Sequence, residues 1–541
     1  MNSLPETPNL DHLKRQAKDL FAAYRRHQPE AMSQFRRHLP VARGASDADL
    51  MAASLRLADA QSCIARAYGY ASWADLRAMV ELLRLRASDV PALRLLFAQR
   101  AYAGDLSGHI DGAQPRAAAQ VLKRHPEITQ GCVVTAAGAG AVEPVRAALQ
   151  RGTDWINQPG GPLMLKPLMA ACHSGLLGQH EHRAAVLEVI RLLLEAGADV
   201  SASVASRWPP ASLHAPDETT PLSPLYGAAG VIRDPEAVRL LLAAGADPND
   251  GESLYHAVEN ADCLRLLLEA GARVEGTNAL YRVLDFHAPI ALALLLKAAR
   301  GAPELQGAGL LAWAIRRRRA PEIFAVLLEG GCDPAARTAQ GQSLWELALR
   351  YGLREVAEML RAPGSPTAMS GQDRFLAACA AGEAAVARDL LSREPGLIAA
   401  LKEAELTLLP ELAAAGASKA VRLMVELGWP IEVKGGDWGA SALNQAVFRG
   451  DAQMTRFLLE RGASWQAQHG FGDDVSGTLC WASQNRPVPE GDWVACAEAL
   501  LEHGMPGVRR DPNHPGAVLM AGRPRQFSDA VTECLLDGPV G

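Results

Sequence analysis

His180-Glu181-His182, with Cys172 and His173 upstream, is the densest group of potential metal ligands in this chain. Histidines two apart do not share one helix face. The run also lacks the His-x-x-x-His or Cys-x-x-Cys spacing of zinc sites. It reads as polar loop ahead of a helix, and no metal or other cofactor is expected. Arg316-Arg317-Arg318-Arg319 is the sharpest charge run. Such a run either ends a helix, where cations complement the dipole, or grips an acidic or phosphorylated partner, because guanidinium forks chelate carboxylate and phosphate. Ala136-Ala137-Gly138-Ala139-Gly140 is Gly-rich but falls at the end of a helical segment, so it is not read as a phosphate loop. No Gly-x-Ser-x-Gly, P-loop or dinucleotide fingerprint occurs. Catalytic residues are not expected.

Aromatic residues in turn-like surroundings carry more promise. Trp155 follows Gly152-Thr153-Asp154, and Trp208 lies in Arg207-Trp208-Pro209-Pro210. Trp438 follows Gly435-Gly436-Asp437, and Trp465 and Phe471 flank the next turn. An aromatic ring at a loop tip is costly to solvate unless something covers it, and Trp, Tyr and Arg dominate binding hot spots. Trp155, Trp208, Arg316, Arg317, Arg318, Asp437, Trp438, Trp465 and Phe471 are therefore the candidate partner-binding residues. Tips that simply cover one another are the plain alternative.

A repeat must position these residues. Leu192-Leu193-Leu194-Glu195-Ala196-Gly197-Ala198-Asp199 returns as Leu240-Leu241-Leu242-Ala243-Ala244-Gly245-Ala246-Asp247 and as Leu266-Leu267-Leu268-Glu269-Ala270-Gly271-Ala272-Arg273. Weaker copies start at Leu327 and Phe457. Gly152, Gly197, Gly245, Gly271, Gly301, Gly331, Gly428, Gly462 and Gly504 keep register. A period of about 30–45 residues means stacked supersecondary units. The Leu run is the second helix of a pair, closed by a left-handed Gly, and a small Ala follows in the crowded return. First helices show in Leu225-Tyr226-Gly227-Ala228-Ala229, Leu311-Ala312-Trp313-Ala314-Ile315 and Leu443-Asn444-Gln445-Ala446-Val447. Roughly twelve pairs are expected, with loop insertions at Ser201 to Thr220 and His469 to Thr478.

Residues 1–88 lack the repeat. Leu10 to Tyr24 follows an Asn9/Asp11 cap at helical spacing. Further helices are expected at Ala31–Leu39, about Asp47–Tyr68, and from Ser72 onward. Ala65 to Tyr70 with the segment after it loosely suggests helix-turn-helix. Residues 1–86 hold only 13 Lys and Arg against 9 Asp and Glu, little drive for phosphate binding. A helical cap over the first repeat is the better reading, because an array end must hide its apolar face. The whole chain has net charge −6, which gives no reason to bind nucleic acid or anionic membrane. No run of about 18 apolar residues is present, and no Sec-type leader is evident between Met1 and Leu20. Nine scattered cysteines without a Cys-x-x-Cys pair indicate reduced thiols. The 46 Arg against 8 Lys suggest a GC-rich, bacterial genome.

The Leu-Leu-Leu-Glu-Ala-Gly-Ala-Asp close, preceded by Thr220-Pro221-Leu222 or Gly341-Gln342-Ser343-Leu344, resembles the ankyrin repeat. The likeness is strong at 185–361 and 438–468 and weaker at 91–160 and 372–433. The head, with Leu57-Ala58-Asp59-Ala60-Gln61 and Ala65 to Trp73, resembles the short helical segment that precedes such arrays in bacterial proteins. The resemblance implies an all-α, ankyrin-type helical-pair solenoid with an N-terminal helical cap. Expected divisions are 1–88 for the head, 89–362 and 363–510 for two repeat blocks, and 511–541 for a C-terminal cap or tail. It implies protein–protein recognition on the concave face and hairpin tips; the reduced thiols point to a cytoplasmic scaffold, and a monomer is favoured. Two rivals are an enzyme or secreted effector with a site in the head or irregular repeats, and a nucleic-acid-binding regulator using the basic head.

Overall fold

The computed structural model describes residues 4–5, 8–39, 42–52, 55–70, 72–84, 89–108, 113–207, 217–362, 369–511, 517–536 and 538. Trp208 lies outside them. The chain divides into two units, Met1–Val283 and Leu284–Gly541.

In the first unit the head opens with the helix Leu10–Arg25, capped by Asn9, whose side chain accepts from the amides of Asp11 and His12. Leu13, Ala17, Leu20 and Tyr24 fill its buried face, and Tyr24 Oη donates to the Leu50 carbonyl at 2.7 Å. The expected helix across 47–68 is broken: Asp47–Ala52 and Leu57–Ala67 are separate helices. Asp59 accepts from the Arg56 amide and fixes the start of the second. The last head helix, Trp73–Arg84, packs on Pro115–Arg124. Helical pairs follow, such as Val133–Gly138 with Val142–Gln150, and Ser253–His256 with Ala261–Glu269. His180 to His182, expected in a loop, form the first turn of the helix His180–Glu195.

The close of the repeat follows from its sequence. The middle Leu of each triplet, Leu193, Leu241 or Leu267, is fully buried, worth about 1.5–3 kcal/mol for each side chain withdrawn from water. Its carbonyl accepts from the amide five residues on: Ala198, Ala246 and Ala272 donate to Leu193, Leu241 and Leu267 at 2.9–3.0 Å. This closing bond requires the intervening Gly to turn left-handed; Gly271 has φ +95° and open space where a Cβ would stand. The second unit repeats the bond at Cys332, Trp429, Ala463 and Met505. Trp429 and Met505 are buried there as completely as any Ala. The slot therefore demands an apolar residue, not the small one expected. Between repeats of the first unit, Asn157 and Asn249 reach the next close: Asn249 Oδ1 accepts from the Arg273 amide, and its Nδ2 donates to the Gly271 carbonyl.

The second unit continues the pairs: Gly309–Arg316 with Pro321–Glu329, Leu344–Arg350 with Arg354–Met359, Gly371–Ala381 with Ala384–Arg393, Leu408–Ala414 with Ser418–Glu426, Ala442–Arg449 with Ala452–Glu460, and Val475–Asn485 with Trp493–Glu502. Pro321 at the first helical position supplies a preset φ. Ala314, Ala348 and Ala446 are buried where first helices stack. The His469–Thr478 insertion is shorter than expected, because Asp474 caps a helix that starts at Val475.

The chain is mostly helical, as expected, and among the described residues three small antiparallel sheets interrupt the helical pairs. Val204–Ser206 pairs with Asp217–Leu222. Lys434–Gly435 pairs with Ala440–Ser441. Arg509–Arg510, Val518–Met520 and Arg523–Arg525 form a third sheet. The second lies at a hairpin tip, where extended chain on both sides of a turn finds its own backbone partners. The third stands before the helix Asp529–Leu536, and Val508, Val518, Met520 and Leu535 are buried there.

All nine cysteines are free thiols. Burial pushes Cys63, Cys379 and Cys496 up to about 12. The thiolate is the reactive form, so these three are expected to resist iodoacetamide at pH 8 in the native protein and react on unfolding. Mass-spectrometric mapping of alkylated peptides checks this.

Candidate interaction surface

The second unit gathers most of the singled-out residues. The helix Gly309–Arg316 ends at Arg317, and Arg318 turns left-handed at φ +50°. Other pairs place a Gly at this turn, such as Gly352 and Gly450. Gly352 has no room for a Cβ, which would lie 2.7 Å from the Ala381 amide nitrogen. Arg318 has the room and uses it: its guanidinium donates to the Tyr351 carbonyl of the next repeat. Arg233 in the first unit does the same, left-handed at φ +61° and paired with Glu259 Oε1 at 2.7 Å.

Arg317 spans further. Its Nη2 donates to Asp437 Oδ2 at 2.8 Å, across 120 residues of chain. Its Nε pairs with Asp285, and its Cζ lies 3.5 Å from the centroid of the Trp313 ring. A planar cation on an aromatic face between two carboxylates is the arrangement guanidinium chemistry favours. Burial holds the Arg318 and Arg319 guanidinium groups below their ordinary values. The Arg run is thus no simple solvated helix end: Arg316 alone of the four is exposed, and Arg317 and Arg318 serve the unit's own structure.

Glu411 lies beside this group and was not singled out by the sequence. Tyr351 Oη and Thr407 Oγ1 both donate to its carboxylate. Burial pushes its carboxyl up to about 7, with Arg316 opposing and Asp437 adding to the rise. The folded chain therefore holds this proton more tightly than the unfolded chain. Stability is full below about pH 4.5 and falls as pH rises toward 7, by about 3 kcal/mol in all at 1.36 kcal/mol per unit. Glu411→Gln is expected to flatten that part of the urea-midpoint-versus-pH curve and to exceed wild type in stability at pH 8.

Aromatic side chains form a row on the same unit. Trp438 packs on Phe448 with ring centroids 5.7 Å apart and on His469 at 5.1 Å. Phe448 stacks on Trp481 at 5.4 Å, and His469 meets Phe471 at 5.9 Å. The Gly470 amide donates to the Trp438 carbonyl at 2.8 Å and ties the two tips. Neighbouring tips do cover Trp438, which is half-buried, but Phe471 is 81 % and Trp481 45 % exposed. Burial lowers His469 from its ordinary value. Arg525 grips Asp473 with both of its terminal nitrogens, holding that carboxyl low.

The remaining candidates stand apart from this row. Trp465 is half-buried, and its carbonyl accepts from the Val475 amide. Trp155, in the first unit, is half-buried with Nε1 donating to the Gly152 carbonyl at 2.8 Å.

The first unit also buries a polar group. His173 Nε2 contacts the Ser223 carbonyl at 2.8 Å, and burial lowers its pKa against the opposing pull of Asp105. Its ring packs on Tyr226, whose hydroxyl donates to Asp105 Oδ2 at 2.7 Å. Gly227 makes this approach possible, since a Cβ there would lie 2.4 Å from the His173 ring. A small apolar cleft in the same unit, lined by Phe97, Tyr102, Val134, Thr135 and Leu163 among others, has a volume of about 10 Å³, room for about one water and for no larger ligand. Among the described residues no three His, Cys, Asp or Glu side chains group as a metal site requires.

No protein-family model matches the chain, and no curated protein does. Among solved structures it is similar to the crystal structure of the human ASB11 ankyrin repeat domain, at 20 % identity. The match covers 43 % of this chain and 99 % of that one, with a TM-score of 0.32. The pair geometry carries the reading of the fold: short stacked helices, a left-handed Gly close, and extended tips between pairs. The chain is mostly helical and built of such pairs. In the second unit Trp438 and Phe471 lie at the tips, and Phe448 and Trp481 lie on the helices Ala442–Arg449 and Val475–Asn485.

Proposed function

We propose that this chain is a protein–protein interaction scaffold that holds a partner protein on the tips and first helices of its second unit. The exposure of Phe471 at the end of a packed aromatic row supports this most directly. An exposed ring of that size next to half-buried ones marks an interaction site rather than scattered surface apolarity. Repeats that pack only on neighbours present such rings on a rigid frame, so little ordering is lost on binding. The head residues 1–88 serve as the cap of the array; Glu81 pairs with the buried Arg100 of the helix Val90–Ala101. Nine free thiols fit a reducing cytosol. No helix among the described residues is long and apolar enough to cross a membrane.

Affinity capture from lysate of the source organism tests the proposal. Wild type is compared with a variant carrying Trp438→Ala, Trp465→Ala and Phe471→Ser, shown to be folded by circular dichroism. A protein held by wild type and lost by the variant is expected. No specific protein, or one held equally by both, contradicts the proposal.

A further inference from the structure

We infer that the stretch Trp438–Phe448–Trp481, beside Asp437, seats an arginine-bearing segment of the partner protein. This deepens the scaffold reading and rests on it. Elsewhere the fold covers aromatic rings with its own guanidinium groups. Arg317 lies over Trp313 at 3.5 Å, Arg361 over Trp345 at 5.0 Å, and Arg422 and Arg461 over Phe457 at 4.5 and 5.0 Å. Among the described residues no guanidinium covers Phe448 or Trp481, although Trp481 is 45 % exposed and stacked within 8° of parallel on Phe448. The row is an aromatic face without the cation that Trp313, Trp345 and Phe457 carry.

Charge decides which occupant fits. The Asp437 side chain is 57 % exposed, and only its Oδ2 is engaged among the described residues, by Arg317. The same carboxylate thus already accepts one guanidinium that lies on a tryptophan, which shows the chemistry the surface takes. Arg525 cancels Asp473 and approaches Asp474. Around His469, which packs on Trp438, Asp473 and Asp474 are offset by Arg525 and Lys434, so the carboxylate left to the row is that of Asp437. Stacked bases would also use flat rings, but a nucleic-acid backbone needs cations along the groove, and a carboxylate beside Trp438 has the wrong sign. Arginine suits the seat better than lysine, because its planar, weakly hydrated head stacks and pairs at once.

The probe is a fluorescein-labelled peptide with three arginines spaced by Gly-Ser, read by anisotropy against the full chain at physiological salt. Its controls are the citrulline peptide, a proline-rich peptide and labelled oligouridylate. The arginine peptide is expected to bind at least about tenfold more tightly than the citrulline peptide, and Trp481→Ala to weaken it at least about tenfold with an unchanged circular dichroism spectrum. Equal binding of the citrulline peptide, an unchanged Trp481→Ala, or binding of the proline-rich peptide or oligouridylate in place of the arginine peptide overturns the seat. A captured partner that Trp481→Ala still holds removes the seat and leaves the scaffold standing. Failure to capture any partner removes the scaffold reading alone.

Discussion

Arg317→Glu is expected to destabilise the second unit by about 2–4 kcal/mol, read as a lower urea midpoint of tryptophan fluorescence. The wild-type side chain is 18 % exposed and bridges Asp285 and Asp437 while covering Trp313. Reversal of its charge places a third carboxylate against those two, with Glu411 close by. Removal of one partner of a buried pair costs about 3–5 kcal/mol. The exposure of Asp437 brings the figure down, because water screens that half of the bridge. Arg317→Met keeps the apolar stem over Trp313 and is expected to lose about half as much. If Arg317→Glu unfolds at the wild-type midpoint, the bridge is ornamental and the approach of residues 317 and 437 has another cause.

Gly352→Ala is the second large effect, expected at about 2–4 kcal/mol. Two costs combine there. A non-Gly residue at φ +70° loses about 1 kcal/mol. The added Cβ also meets backbone, 2.7 Å from the Ala381 nitrogen and 2.8 Å from the Ala380 carbonyl carbon, and backbone cannot rotate aside, so an overpacking cost of about 1–3 kcal/mol is added. Gly331→Ala is the control. Its φ is +97°, but nothing lies within 4 Å of the new Cβ, so only the conformational cost of about 1 kcal/mol remains. Equal destabilisation of both variants by urea denaturation would show that crowding between repeats contributes nothing at Gly352.

Those two glycines show how far the sequence could be read. The Gly331 class sits in a fixed phrase after a Leu run, so its period, its left-handed turn and the helix before it were legible. The turn between the two helices of a pair has no such phrase. Gly352, Gly450, Arg233 and Arg318 all turn left-handed there, and only the distance to the next repeat decides whether a side chain fits. Arg318 therefore looked like a partner contact and proves to be a tie to Tyr351. The exposed tip aromatics were legible in kind, since Trp438 and Phe471 stand beside Gly and Asp. Phe448 and Trp481 were not, because in the helices Ala442–Arg449 and Val475–Asn485 they read as ordinary apolar positions. Nor could the chain announce that Arg317 meets Asp437 or that Glu411 lies under Tyr351. Such contacts depend on how several irregular repeats stack, and residues 372–433 match the repeat phrase least.

Hydrogen–deuterium exchange of the full chain, with and without its captured partner, tests the scaffold claim most directly. Protection is predicted at the tips 433–441 and 465–474 and along the first helices Ala442–Arg449 and Val475–Asn485, with the rest of the array unchanged. Protection confined to the head or to the first unit, with those tips exchanging as in the free protein, would contradict it.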